Sequence, residues 1–273
     1  MKNLSKNLRH VAMIVACLAV CIFFASCEKE TVTPNNPDNP DNPNNPNVRL
    51  VSYMYYDAYY HDGISDIIGE YYYEYDNQNR ISKITSTKQM SGIWTVTYPS
   101  ANTVRYETDG KYYLLTKNDE GYLINNVLNT NGNTVTENFE YENGYLKKST
   151  GKISQFTIIN NYYWSNGKLD KIDEDVTYNP ALNSKSTFSY GTTPNEETNI
   201  SPWTTSCQGY WLYPSYWTGK KSPNLMSSEI RETKDKTWHI NYRYVFDTDG
   251  YVTKVFAQAD DDQERLICEV KYK

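Results

Sequence analysis

The chain has 273 residues, with 27 basic and 33 acidic side chains, a net charge of −6, and 27 Tyr and 6 Trp. The acidic balance disfavours a nucleic-acid partner, and three His with five Cys leave little material for a zinc site or a Ser-His-Asp relay. Leu, Ile, Val and Phe supply only 53 residues, near the level at which a charged chain fails to fold, so any core must draw on its aromatic rings.

Lys2, Lys6 and Arg9 precede an apolar run from Val11 to Phe24, which is shorter than the roughly 20 residues a spanning helix needs and reads as a secretory signal. Phe24-Ala25-Ser26-Cys27 resembles the bacterial lipobox, with Phe24 where Leu is commoner. Cleavage is therefore expected after residue 26, with acylation of Cys27. Each buried methylene of the acyl chains contributes about 0.8 kcal/mol, so the anchor holds the protein in the membrane. Glu28-Lys29-Glu30 then looks like the charged tags that export Bacteroidetes lipoproteins to the outer face of the outer membrane. The address expected is the outer membrane, lipid-anchored at the cell surface, with the periplasmic face as the alternative. Loss of the three basic signal residues leaves 24 basic against 33 acidic. Cys17 and Cys21 depart with the signal, so Cys207 and Cys268 are the thiols that could pair.

Residues 27–47 form a linker in which Pro34, Pro37, Pro40, Pro43 and Pro46 recur every third position among Asn and Asp. That period matches a turn of polyproline II, a solvated spacer on the order of 40 Å long.

Residues 48–273 are expected to fold as one all-β domain. A hairpin signature recurs at Tyr75-Asp76-Asn77-Gln78-Asn79-Arg80-Ile81, Tyr106 to Tyr112, Tyr141-Glu142-Asn143-Gly144-Tyr145-Leu146, Trp164-Ser165-Asn166-Gly167-Lys168-Leu169 and Phe246 to Val252. Asn-Gly and Asp-Gly corners supply the positive φ of tight antiparallel turns, and Asn79 stands in for Gly in the first copy. Six to twelve residues of patchy alternation lie between corners. The pattern predicts an antiparallel up-and-down meander of a dozen or more strands, whose accumulated twist curls it into a strongly curved or barrel-like wall. Charge on both faces of stretches such as Arg80 to Lys88 and Glu229 to Trp238 argues for a barrel in water rather than in lipid.

Residues 192–226 interrupt the rhythm and carry Trp203, Tyr210, Trp211, Tyr213, Tyr216 and Trp217. Two readings stand: an irregular or short-helical insert whose rings plug the hollow of the sheet, or a stacking platform for sugar rings or an apolar ligand. Tyr53, Tyr55, Tyr56, Tyr59, Tyr60, Tyr71, Tyr72, Tyr73 and Tyr75 read as a cross-strand ladder. Asp260-Asp261-Asp262-Gln263-Glu264 lacks the spaced ligands and central Gly of a calcium loop and reads as a solvated turn. His61 and His239 sit in no recognisable motif.

The hairpin meander, together with Thr218-Gly219-Lys220-Lys221-Ser222-Pro223-Asn224-Leu225 and the stretch from Tyr242 to Val255, resembles a Bacteroidetes lipoprotein family of unknown function with a porin-like fold. The single hairpins are also similar to the YD repeats of large secreted shell-forming proteins, although five short copies are too few to build a shell. The family resemblance implies a fold and a location and no activity. The expectation is a non-catalytic binding or scaffold module, with glycans or a protein as partner, the membrane reached through Cys27, and no cofactor or metal. The alternatives are a glycan hydrolase with paired carboxylates and a purely structural envelope protein.

Overall fold

The computed structural model describes residues 49–58, 67–88, 91–130, 133–153, 156–195 and 215–273. They form sixteen strands: β1 (Val51–Ala58), β2 (Ile67–Tyr75), β3 (Ile81–Lys88), β4 (Gly92–Ser100), β5 (Thr103–Thr108), β6 (Lys111–Lys117), β7 (Leu123–Thr130) and β8 (Asn133–Glu142) make the first half. The second half is β9 (Tyr145–Ile153), β10 (Phe156–Ser165), β11 (Lys168–Val176), β12 (Ser184–Pro194), β13 (Asn224–Thr233), β14 (Thr237–Phe246), β15 (Val252–Ala259) and β16 (Arg265–Tyr272). Each strand pairs antiparallel with its neighbour in sequence, and β1 pairs with β16, so the meander closes into a barrel with no free edge. At the seam the Lys273 amide donates to the Leu50 carbonyl at 2.8 Å.

Alternation along the strands sorts the residues by face. Ile84, Val104, Tyr106, Leu115, Leu146, Leu169 and Val252 point inward and are 0% exposed. These seven side chains are wholly shielded from solvent, so over this stretch the interior is closed to water. The outer wall carries cross-strand charge pairs, including Lys83–Glu74 at 2.6 Å, Lys88–Glu70 at 2.9 Å and Lys185–Glu232 at 3.2 Å, and Arg243 on β14 reaches Glu264 in the turn before β16 at 2.6 Å.

One rim, where odd strands begin and even strands end, repeats a single device. The ladder register shifts between Glu74 and Tyr75, Glu140 and Tyr141, Tyr163 and Trp164, and Ser189 and Tyr190. A bulge of this kind bends the strand and re-aims the next side chain. The rim aromatic then reaches a carbonyl at or near the start of the odd strand before it: Tyr75 to Val51, Tyr98 to Ile81, Tyr141 to Leu123, Trp164 to Leu146, Tyr190 to Leu169, Tyr244 to Met226 and Tyr272 to Val252. These bonds run from 2.7 to 3.0 Å and stitch each hairpin to its predecessor. Asn79 takes φ of +57° at its corner, as the sequence requires. The Tyr ladder of β1 and β2 is present, with Tyr53 opposite Tyr72 at 5.1 Å between rings. Tyr59 and Tyr60 lie outside the described residues.

Candidate functional site

Several expected site residues, namely Cys27, His61, Trp203, Cys207, Tyr210, Trp211 and Tyr213, lie outside the described residues. Strands β12 and β13 each extend three residues into the stretch 192–226, which narrows the insert to 195–223. Its described end is a short 3-10 turn, Ser215–Thr218, containing Tyr216 and Trp217. Trp217 is 5% exposed, with the Lys117 ammonium 4.5 Å above its ring, so it packs as a plug and offers no stacking face. Beyond it the chain crosses the rim. The Lys220 amide donates to the Gly144 carbonyl at 2.8 Å, and Ser222 Oγ accepts from the Leu169 amide at 3.1 Å and donates to Tyr190 Oη at 3.0 Å. Gly219 is required there: its φ is +93°, and a Cβ would sit 2.7 Å from the Gly144 carbonyl oxygen.

Cys268 is a buried free thiol, its pKa pushed up to about 12 by burial and then by Glu269, so it is inert at neutral pH. His239 is exposed on β14, and the five residues from Asp260 to Glu264 form an exposed turn, as expected. Among the described residues, no cluster of His, Cys, Asp or Glu could hold a metal ion.

The sequence reading missed two arrangements. The first is a polar track along the inner wall. By register, Asn126 faces Glu137, Ser149 faces Asn160, Asn160 faces Glu174, Glu174 faces Ser184, and Ser186 faces Arg231, so one line of polar groups runs from β7 to β13. Burial pushes the Glu137 carboxyl up to about 8, against a hydrogen bond from Ser149. Its Oε2 and both polar side-chain atoms of Asn126 have no partner. Glu229 behaves oppositely. Burial raises it, yet Arg231, with Ser186 Oγ at 2.7 Å and Tyr242 Oη at 2.7 Å, outweighs that and holds it below the usual carboxylate range. Packing around Glu174 raises its carboxyl, with Arg231 and Ser184 working against the shift.

The second arrangement lies at the stitched rim, on both sides of the Asn143–Gly144 corner. A shallow depression of about 510 Å³ is lined by Glu120, Tyr122, Tyr141, Asn143, Gly144 and Lys220. Its neighbour, about 260 Å³, is lined by residues that include Glu142, Tyr145, Lys147, Tyr162 and Trp164. Tyr122 stacks on Tyr141 at 5.2 Å between centroids, and Tyr145 leans on Trp164 at 4.8 Å. The motif from Tyr141 to Tyr145 reads in the sequence only as a turn. A further signal is the spacing of the rim aromatics, 23 residues from Tyr75 to Tyr98 and again from Tyr141 to Trp164, which places their rings along one edge.

This geometry has solved counterparts. A porin-like protein from Bacteroides uniformis superposes with a TM-score of 0.60 at 18% identity, covering 82% of this chain and 98% of that one. A second porin-like protein, from Bacteroides vulgatus, gives a TM-score of 0.56 at 10% identity over 82% of this chain and 99% of its own. The chain has the porin-like fold. No family model matches the sequence. No curated protein matches it either.

Proposed function

We propose that the chain is an outer-membrane lipoprotein, tethered through Cys27 at the cell surface. Its barrel acts there as a non-catalytic binding or scaffold module with glycans as the ligand class. On this reading it also belongs to the Bacteroidetes porin-like lipoprotein family whose motifs it resembles. The polarity of the wall carries the reading. Strands of 9 to 11 residues, such as β4 and β12, are long enough to cross a bilayer, so length alone does not decide. Charge does. A Lys or Arg turned to lipid at mid-depth costs about 2–4 kcal/mol, and an exposed ion pair returns at most about 1 kcal/mol, so a wall laced with such pairs belongs in water. An interior closed to water leaves no channel, and binding then falls to the rims.

Fractionation tests the anchor: the wild type is expected in outer-membrane vesicles and Cys27→Ser in the soluble fraction. Digestion of intact cells by added protease separates the surface from the periplasmic face. Purified protein is expected to give no conductance in planar bilayers; stepwise currents would overturn the reading of a closed interior. The rival reading, a hydrolase with two carboxylates, would draw on Glu120 and Glu142, which line adjoining depressions. Release of reducing ends from a retained polysaccharide would establish it in place of the non-catalytic one.

A further inference from the structure

The two depressions share Asn143 and together make one cleft folded over a hairpin corner. Its larger half, about 510 Å³, is open to solvent, a groove along which a chain can lie rather than a pocket that encloses a small molecule. Its aromatic rings are held from behind. Tyr141 Oη donates to the Leu123 carbonyl and Trp164 Nε1 to the Leu146 carbonyl, both at 2.7 Å, so their polar atoms are committed to the wall. Rings fixed in this way lose little freedom when a ligand arrives.

The charges are compensated within the cleft. Lys147 pairs with Glu142 at 3.1 Å, Asn118 Nδ2 donates to Glu120 Oε2 at 3.2 Å, and Lys220 Nζ donates to the Asn143 carbonyl at 3.0 Å. Two carboxylates against two ammonium groups leave no net charge to select an anion or a cation. Half-buried rings, hydrogen-bonding groups at their edges and zero net charge match a ligand with apolar faces and polyhydroxyl edges, which on binding displaces the exposed Lys220 ammonium from its place 5.4 Å from the Tyr145 ring centroid.

We propose that this cleft is a binding site for a neutral saccharide chain, with one sugar ring against Tyr122 and Tyr141 and the next against Tyr145 and Trp164. Ring C–H faces stack on the aromatics, while hydroxyls donate to Glu120 and Glu142 and accept from Asn143 Nδ2. The proposal rests on the glycan reading above and adds its location, the ligand's charge class and its span across the corner.

The test is affinity gel electrophoresis of the full mature chain carrying Cys27→Ser, in gels containing starch, mixed-linkage β-glucan, xylan, mannan or anionic polygalacturonate. Titration calorimetry on the retarding polymer then follows. Retardation by at least one neutral polymer and none by polygalacturonate is expected. Tyr145→Ala is expected to weaken binding about tenfold or more and Glu142→Gln about threefold or more, while Tyr163→Ala, on the outer wall, leaves it unchanged. Should Tyr145→Ala lower the unfolding midpoint, Glu142→Gln decides, because it leaves the aromatic packing intact. Wild-type affinity in Glu142→Gln and in a folded Tyr145→Ala would overturn this site while the glycan reading stands. A wild type retarded by no polymer would overturn the glycan reading itself. Retardation by polygalacturonate alone would overturn the neutral class.

Discussion

Glu137→Gln is expected to stabilise the barrel, by an amount that grows with pH. Glu137 is 5% exposed, and burial raises its carboxyl from 4.5 to about 8 in the folded chain. Below the unfolded value both states hold the proton and the residue is neutral to stability. Between 4.5 and about 8 the unfolded chain gives up a proton that the native state retains, so stability falls by about 1.36 kcal/mol per pH unit and levels off above the folded value. The interval corresponds to a ceiling of about 5 kcal/mol by pH 8.5, and about 3 kcal/mol at pH 7. Glutamine keeps the shape and removes the proton chemistry. Its amide also faces Asn126, whose polar side-chain atoms lack partners in the wild type.

Urea unfolding of the lipid-free chain at pH 5, 7 and 9 reads the difference directly, with slopes compared to confirm that the denatured state is unchanged. Glu174, also raised, contributes equally to both proteins and cancels. A wild-type-to-variant difference that stays constant across the three pH values would refute the reasoning, as would a variant less stable than the wild type at pH 9.

Removing a rim stitch should cost more than its exposed counterpart. Tyr244→Phe strips the donor from the Met226 carbonyl and is expected to lose about 1–2 kcal/mol in urea melts, while Tyr163→Phe, 45% exposed, loses under about 0.5. Glu229→Ala removes the carboxylate shared by the partly exposed Arg231 and the hydroxyls of Ser186 and Tyr242, so a loss of about 1.5–3 kcal/mol is expected at pH 7. Gly219→Ala places a Cβ against the Gly144 carbonyl at positive φ; a melting point several degrees lower is expected, and an unchanged one would contradict the crossing of the rim. A double-mutant cycle of Lys117→Leu and Trp217→Phe should show coupling of about 0.5–2 kcal/mol, and zero coupling would separate the ammonium from the ring.

The turns were legible because they are local. Asn-Gly, Asp-Gly and the lone Asn79 each dictate positive φ from their own chemistry, and strands between such corners have nowhere to go but antiparallel. The count of strands and closure of the barrel were legible only as a tendency, because the β1–β16 pairing joins residues more than 200 positions apart. The inner carboxylate at Glu137 could have been found. In Val135-Thr136-Glu137-Asn138-Phe139 the alternation sets Glu137 on the same face as Val135 and Phe139, both buried. Composition obscured it, since an acidic residue in a charged strand reads as solvated. The rim cleft was illegible for another reason. Tyr122, Tyr145 and Lys220 meet only after β6 to β9 and the end of the insert are brought to one corner, and no spacing rule predicts that.

The irregular segment and the regular rim explain each other. At seven even strands the rim device ends in a Tyr or Trp that reaches the preceding odd strand, and the exception is β6, which ends in Lys117. Lysine cannot seal an apolar rim by itself: its ammonium must keep a favourable partner, and here the aliphatic stem is buried while the charge lies over an aromatic face. That face belongs to Trp217, which arrives from the long connection between β12 and β13. The connection therefore supplies the ring that the repeat omits at β6. It is then held across the mouth by Lys220 on Gly144 and Ser222 on Leu169 and Tyr190. An insert that merely decorated the barrel would have no reason to end at the single rim position lacking its aromatic.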